Sequence, residues 1–129
     1  MVARDIMTRD VITVIPAMTV KSLAMTLIKN QISGAPVADK SGKIIGIVSE
    51  SDIVAKKGKD VRSIMSKKVI SVAQETPVEQ IAEMMTTHHI KRLPVMNNGR
   101  VVGIVSRADI VSAIALGKHV ALHTPVYDL

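Results

Sequence analysis

Two segments of the sequence carry a serine and an aspartate three residues apart, each directly after a short apolar run. They are Gly46-Ile-Val-Ser49-Glu-Ser-Asp52 and Gly103-Ile-Val-Ser106-Arg-Ala-Asp109. Backbone N–H groups at a helix start favour an anion, a serine hydroxyl can bond to phosphate, and a carboxylate can accept from both hydroxyls of a ribose. The same spacing also forms a helix capping box, which needs no ligand. Its occurrence twice favours the binding interpretation.

A basic pair, Lys91 and Arg92, is the second candidate. We predict that it ends a helix and enters a strand, where an ammonium and a guanidinium can both donate to a phosphate. Cations near a helix C-terminus also stabilise the helix without a ligand. The residues 58 positions earlier are Ser33 and Gly34, which carry no charge. If phosphate binding needs the cations, two otherwise similar sites will bind unequally.

An internal repeat explains why these features come in pairs. A shift of 58 residues aligns two segments, and after a one-residue deletion a third segment matches at eight of thirteen positions. The aligned pairs are Ile6–Val14 with Ile64–Val72, Ile32–Val37 with Ile90–Val95, and Gly42–Val54 with Gly99–Val111. Each copy is too small to bury an apolar sheet face alone. We therefore expect the copies to pack together with approximate two-fold symmetry and a cleft at their seam.

Each copy has the pattern strand, helix, strand, strand, helix, which predicts an α/β (α+β) fold of two βαββα units. The expected strands are 11–14, 35–38 and 44–48 in the first copy, and 69–72, 93–96 and 101–105 in the second. Thr76 and Pro77 predict the N-cap and first residue of the second copy's long helix. Gly42 and Gly99 supply positive φ at the hairpin turns. The last helices are expected over about 49–56 and 106–116, with a linker at 56–60.

Taken together, these motifs resemble the CBS motif, twice over, across about residues 3 to 116. The features are a Met-Thr or Met-Ser doublet before a β-branched strand, an x-x-Pro-Val strand, a Gly-Ile-Val strand and a closing Ser-x-x-Asp-Ile. The resemblance implies a CBS pair, or Bateman module, with motifs at 1–57 and 58–116 and a tail at 117–129. It also implies a homodimer that binds AMP, ADP, ATP or S-adenosylmethionine.

By that resemblance, a set of residues from both motifs surrounds the nucleotide. Asp109 is expected at the ribose, Ser106 at ribose or phosphate, and Lys91 and Arg92 at phosphate. Backbone near Ile12 and Ser33 is expected around the adenine. Asp52, Ser49 and backbone near Ile70 are expected in the counterpart cleft, with Arg92 reaching across to it. The neighbours Thr13, Gly34, Arg107 and Ala108 complete the candidate set.

Composition narrows the function classes further. With 129 residues, 47% of them apolar, the chain suits one compact domain, and without Phe or Trp its core must be aliphatic and methionine-rich. No apolar run approaches the about 18 residues of a membrane span, and the start does not resemble a signal peptide, so we expect a cytoplasmic protein. The net charge of +6 suits an anionic partner or simply solubility.

Other functions have weaker support in the sequence. No cysteine is present, no serine lies in a nucleophile-elbow pattern, and His119 with His123 would make an incomplete metal site, so we predict neither catalysis nor a metal. A nucleic-acid-binding protein using the basic surface is one alternative, although aromatic residues for base stacking are missing. A ligand-free dimerisation scaffold is another. The leading hypothesis is a sensor whose state is read by a separate regulated protein.

Overall fold

The computed structural model describes residues 1–116 and has a mixed α+β fold, as the sequence predicts. The tail from Gly117, with His119 and His123, lies outside the described residues. In order, the elements are α1 (Ala3–Ile6), α2 (Val20–Asn30), β1 (Gly34–Ala38), β2 (Ile44–Ser49), α3 (Glu50–Ala55), α4 (Val61–Ile64), β3 (Val72–Ala73), α5 (Val78–His88), β4 (Arg92–Asn97), β5 (Arg100–Ser106) and α6 (Arg107–Ala115). None of the helices among these residues is long and apolar enough to cross a bilayer.

The chain divides into two compact units, which we call the first and the second unit. Among the described residues, the first unit comprises Asp10–Ile70 with Asn98–Val101, and the second comprises Met1–Arg9, Ser71–Asn97 and residues 102–116. Each unit has its own aliphatic core. The motif boundaries at 1–57 and 58–116 stay a prediction about the sequence repeat.

The first unit is built on the antiparallel pair β1 and β2. Their register runs from Gly34 opposite Ser49 to Val37 opposite Gly46, with a bulge after Val37. Its core includes one side of α2, where Leu23 and Leu27 are buried, together with Val37 and Val48. The β1–β2 turn is closed by the Asp39 carboxylate, which accepts hydrogen bonds from the Ser41 hydroxyl and from two backbone N–H groups. These donors, the Ser41 hydroxyl foremost, hold the pKa of Asp39 below its ordinary value.

The second unit has a three-stranded sheet in the order β3-β4-β5. β3 is parallel to β4, with Val72 opposite Val95. Ile81 and Leu93 are fully buried in its core, which also includes Ile110 of α6. The helix α5 contacts α6, so these two helices lie side by side.

Each methionine doublet belongs to the unit that is built mainly from the other repeat. Met7 and Thr8 lie in the second unit, and Met65 and Ser66 lie in the first. Thr8 exchanges two backbone hydrogen bonds with Ile104, and Ser66 does the same with Ile47. A methyl group added at Gly46 would lie 2.7 Å from Met65 Sδ and 2.9 Å from the Ser66 carbonyl oxygen. Gly103 is in similarly close contact with Met7. Glycine is therefore favoured at both positions, because a methionine side chain lies against the strand and, at Gly46, the Ser66 backbone does so as well.

Several local predictions are corrected by the structure. Within 11–14 only Val14 makes a bridge, to Val37, and the predicted strand at 69–72 is reduced to Val72–Ala73. Thr76 is not the N-cap of α5, since the N-cap is Pro77 and the Thr76 hydroxyl accepts from Ala73 N–H instead. The clearer cap belongs to α2, where Thr19 accepts from Ser22 N–H at 3.1 Å. The four hairpin strands and the positive φ of Gly42 and Gly99 are confirmed.

Candidate functional site

Both Ser-x-x-Asp segments form the capping box that their spacing allows. Ser106 N–H donates to Asp109 Oδ2 at 2.8 Å, and Asp109 N–H donates to Ser106 Oγ at 3.1 Å. In the first unit Ser49 N–H donates to Asp52 Oδ2 at 2.9 Å, while Ser49 Oγ lies 2.9 Å from Ser51 Oγ. The cap fixes one carboxylate oxygen of each aspartate. It leaves the other oxygen, Oδ1, to be engaged by another group.

A second backbone contact makes the two sites equivalent in geometry. Arg107 N–H donates to the Lys91 carbonyl oxygen at 2.9 Å, and Glu50 N–H donates to the Ser33 carbonyl oxygen at 2.9 Å. We call Ser33, Ser49, Glu50 and Asp52 the first frame, and Lys91, Ser106, Arg107 and Asp109 the second frame. Each frame joins the residue at the entrance of a strand to the start of a helix within one unit.

The aspartate of the first frame has an additional partner. Lys56 Nζ lies 2.8 Å from Asp52 Oδ1, and it also donates to the Ile64 carbonyl oxygen at 3.0 Å, where α4 ends. The Asp52 side chain is only 15% exposed, so this ion pair is partly shielded from solvent. In the second repeat Ala113 occupies the matching position and is buried in the core. Among residues 1–116, Asp109 therefore has no such cation.

The second frame adjoins a cavity of about 470 Å³ between α5 and α6. Lys91 and Arg107 line it together with His89 and Thr86, and five apolar residues form the rest of its wall, whereas Ser106 and Asp109 are not among its lining residues. Within the described part of the chain, neither Lys91 nor Arg107 forms an ion pair with an acidic side chain. A concave apolar wall with two cations at one side suits an organic anion.

The remaining predicted site residues fall in both units. Ile12, Thr13 and Ile70 belong to the first unit, and Ala108 belongs to the second, on the exposed first turn of α6. Ile12 and Thr13 directly precede Val14, which makes backbone hydrogen bonds with Pro36 and Ala38 of β1, the strand that begins at Gly34. Arg92 is half-buried at the start of β4. The assembly of residues from both units around one ligand stays a prediction of the sequence.

Two site features were missed in the sequence. Lys56 was placed in the linker, although its spacing of four residues from Asp52 on a helix is the ordinary signal of an ion pair. His89 is not among the residues that the sequence predicts for the site, and it lines the cavity between α5 and α6. Within residues 1–116 no three His, Asp or Glu side chains come together as a metal site.

Comparison with known proteins gives one match for each copy of the repeat. The family model of the CBS domain matches residues 3–58 and again residues 61–116. The CBS domain pair of protein MJ0100, solved in complex with 5′-methylthioadenosine and S-adenosyl-L-methionine, superposes with a TM-score of 0.86 at 32% identity and covers 92% of this chain and 98% of that one. CBSX2 in complex with AMP gives a TM-score of 0.84 at 26% identity, with the same coverage of both chains.

A longer relative contains a similar segment. Inosine-5′-monophosphate dehydrogenase of Methanocaldococcus jannaschii is 33% identical over an alignment of 112 residues that covers 84% of this chain. This chain spans only 23% of the length of that enzyme. The similarity is therefore limited to one part of a much larger protein.

Proposed function

Because the chain belongs to the CBS domain family, with two CBS domains that span most of its length, we propose that it is a regulatory module that binds an adenine nucleotide or S-adenosylmethionine. The second frame is the proposed site for the sugar and phosphate. Asp109 accepts from the ribose hydroxyls through its outer oxygen, Ser106 bonds to ribose or phosphate, and Lys91, Arg92 and Arg107 neutralise the phosphate.

The observation that carries this proposal is the combination, among residues 1–116, of an aspartate with an unengaged oxygen and two unpaired cations in one frame. Lys91 and Arg107 are held next to each other by the 2.9 Å backbone hydrogen bond between them, and both line the same cavity. Cations without acidic partners in a basic protein favour an anionic ligand. The ligands of the similar CBS pairs, which include AMP and S-adenosyl-L-methionine, support an adenosyl group as its other part.

Thermal unfolding with added ligand tests the proposal. Because a ligand that binds only the folded state shifts the equilibrium by mass action, a nucleotide at 100 times its Kd should add about 2.7 kcal/mol of stability. We expect a rise in Tm with AMP, ADP, ATP or S-adenosylmethionine, and none with CMP as a matched control for the phosphate and ribose. If none of the four adenosyl compounds raises Tm at millimolar concentration, the proposal fails. Mass spectrometry of small molecules released on denaturation identifies the bound species independently.

We propose that the module has no catalytic activity and forms a homodimer. Ligand binding changes its conformation, and a separate regulated protein binds according to that conformation. An exposed apolar surface on the helices of the first unit supports self-association. Met25 and Ile28 on α2 are 62% and 78% exposed, and Val54 on α3 is 87% exposed. Since α2 contacts α3, these side chains belong to one helical layer. Clustered exposed apolar residues are characteristic of interaction surfaces.

Charged residues at these positions should prevent self-association. For the double variant Ile28→Glu, Val54→Asp we expect light scattering to give the mass of a single 13.9 kDa chain, against twice that mass for the unmodified protein. The physical reason is that a carboxylate buried without a partner costs several kcal/mol. Ile15→Glu is the control, because Ile15 is also exposed, at 57%, but lies outside both helices. A monomeric unmodified protein would rule out the homodimer, and a dimeric double variant would rule out this surface.

A further inference from the structure

The two frames have the same backbone geometry and opposite charge. Their equivalence is given by the paired hydrogen bonds, Arg107 to Lys91 and Glu50 to Ser33, both of 2.9 Å. The helices that precede the frames end alike, since Gln31 and His89 both have a φ of 54°. At matched positions, however, the second frame has Arg107 and Lys91 where the first has Glu50 and Ser33. The same scaffold therefore carries cations in one unit and a carboxylate in the other.

Lys56 adds a second difference, which concerns the sugar rather than the phosphate. Its ammonium engages Asp52 Oδ1 at 2.8 Å, the oxygen that the capping box leaves unused. A ribose could bind Asp52 in the same way as Asp109 only by displacing this ammonium, which is also held by the Ile64 carbonyl oxygen at 3.0 Å. Displacement would break one ion pair and one hydrogen bond, and within residues 1–116 neither has a counterpart at Asp109.

We propose that the chain binds one phosphorylated adenine nucleotide, not two, and that Glu50 and Lys56 exclude this ligand from the first frame. The inference rests on the proposed function and adds selectivity to it. A phosphate placed at the first frame as at the second would face the Glu50 carboxylate without any of the cations that Lys91 and Arg107 supply, so like charges would repel. Lys56 meanwhile holds the carboxylate that a ribose would need. Glu50 and Lys56 are thus specificity-determining residues.

Isothermal titration calorimetry with AMP and with adenosine tests the inference. For the unmodified chain we expect one equivalent of AMP. Arg107→Glu, which gives this position the residue type of Glu50 in the first frame, should weaken AMP binding by at least about tenfold, the size expected for loss of a charge-assisted hydrogen bond. The affinity for adenosine, which has no phosphate, should change by less than about twofold, because only the charge at the phosphate is altered.

The reverse exchange tests the exclusion directly. Glu50→Arg with Lys56→Met gives the first frame a cation and frees Asp52, and we expect it to add a second, weaker equivalent of AMP. Glu83→Arg with Lys57→Met is the matched control, since it makes the same change of net charge at exposed residues outside both frames. Far-ultraviolet circular dichroism verifies that each variant is folded.

The outcomes separate the inference from the proposed function. Two equivalents of AMP in the unmodified chain would overturn the inference and leave the proposed function intact. A stoichiometry that stays at one in the folded double variant would overturn the assignment of exclusion to Glu50 and Lys56. Absence of binding by any adenosyl compound would overturn the proposed function, and the inference with it.

Discussion

Replacing Asp109 by asparagine should weaken nucleotide binding about 100-fold or more, since each hydrogen bond from a hydroxyl to a carboxylate contributes about 1.5–3 kcal/mol and a ribose offers two. Asparagine has nearly the same shape and retains one oxygen that can accept from Ser106 N–H, as Asp109 does at 2.8 Å. The capping box is therefore largely preserved while the charge is lost. Titration calorimetry with AMP measures the effect.

The matched control is Asp52→Asn, which makes the same chemical change in the first frame. We expect the affinity for AMP to change by less than about twofold there, because Asp52 is engaged by Lys56 and not by the ligand. For the free energy of unfolding we expect the reverse order, with the larger loss in Asp52→Asn. Asp52→Asn removes an ion pair that is partly shielded from solvent, whereas Asp109→Asn removes none among the described residues. Equal losses of AMP affinity in the two variants would contradict the assignment of the ribose to Asp109.

The repeat and its hairpins could be predicted from the sequence because they depend on local signals. Alternating apolar residues and the turn glycines Gly42 and Gly99 specify the hairpins, and both glycines have the positive φ that the turns require. The capping boxes at Ser49 and Ser106 follow from spacing alone. Such features depend only on residues a few positions apart, so one sequence is sufficient to find them.

The exchange of the methionine doublets between repeats could not be predicted in this way. Met7 and Met65 precede similar strands, and either could pack on Gly46 or Gly103 as far as residue type is concerned. The choice depends on which chain segment reaches which strand, and no local signal encodes it. The same limit applies to the strand predicted at 11–14, where β-branched residues are present but only Val14 finds a partner, in β1.

The charge contrast between the frames was only partly visible in the sequence. The uncharged Ser33 and Gly34 already indicated unequal sites. The spacing of Lys56 from Asp52 indicates the ion pair, but its second contact does not follow from the sequence, because it depends on α3 ending one residue before Lys56, at Ala55, so that the side chain also reaches the end of α4. In the second repeat α6 continues through Ala113, and a buried alanine occupies the matching position. The difference is thus set by residue type, lysine against alanine, together with helix length.

Replacing Leu93 by alanine should cause the largest loss of stability, about 3 kcal/mol within the range of 2–5 kcal/mol found for such substitutions. Leu93 is fully buried in β4, between Arg92 and Pro94, and in a core without phenylalanine or tryptophan it is one of the largest side chains. Its removal leaves a cavity that the short β4 strand can close only partly. Urea unfolding followed by circular dichroism measures the change.

Val54→Ala is the control for this substitution, because Val54 is 87% exposed and its truncation should cost less than about 0.5 kcal/mol. Leu93 also follows Arg92 directly, so the strand that fills the core begins at one proposed phosphate ligand and is preceded by another, Lys91. Nucleotide at 100 times its Kd for the variant should therefore recover about 2.7 kcal/mol, most of the loss, if the second frame survives in the folded variant. A loss below about 1 kcal/mol for Leu93→Ala would mean that the core of the second unit does not depend on β4 as its burial indicates.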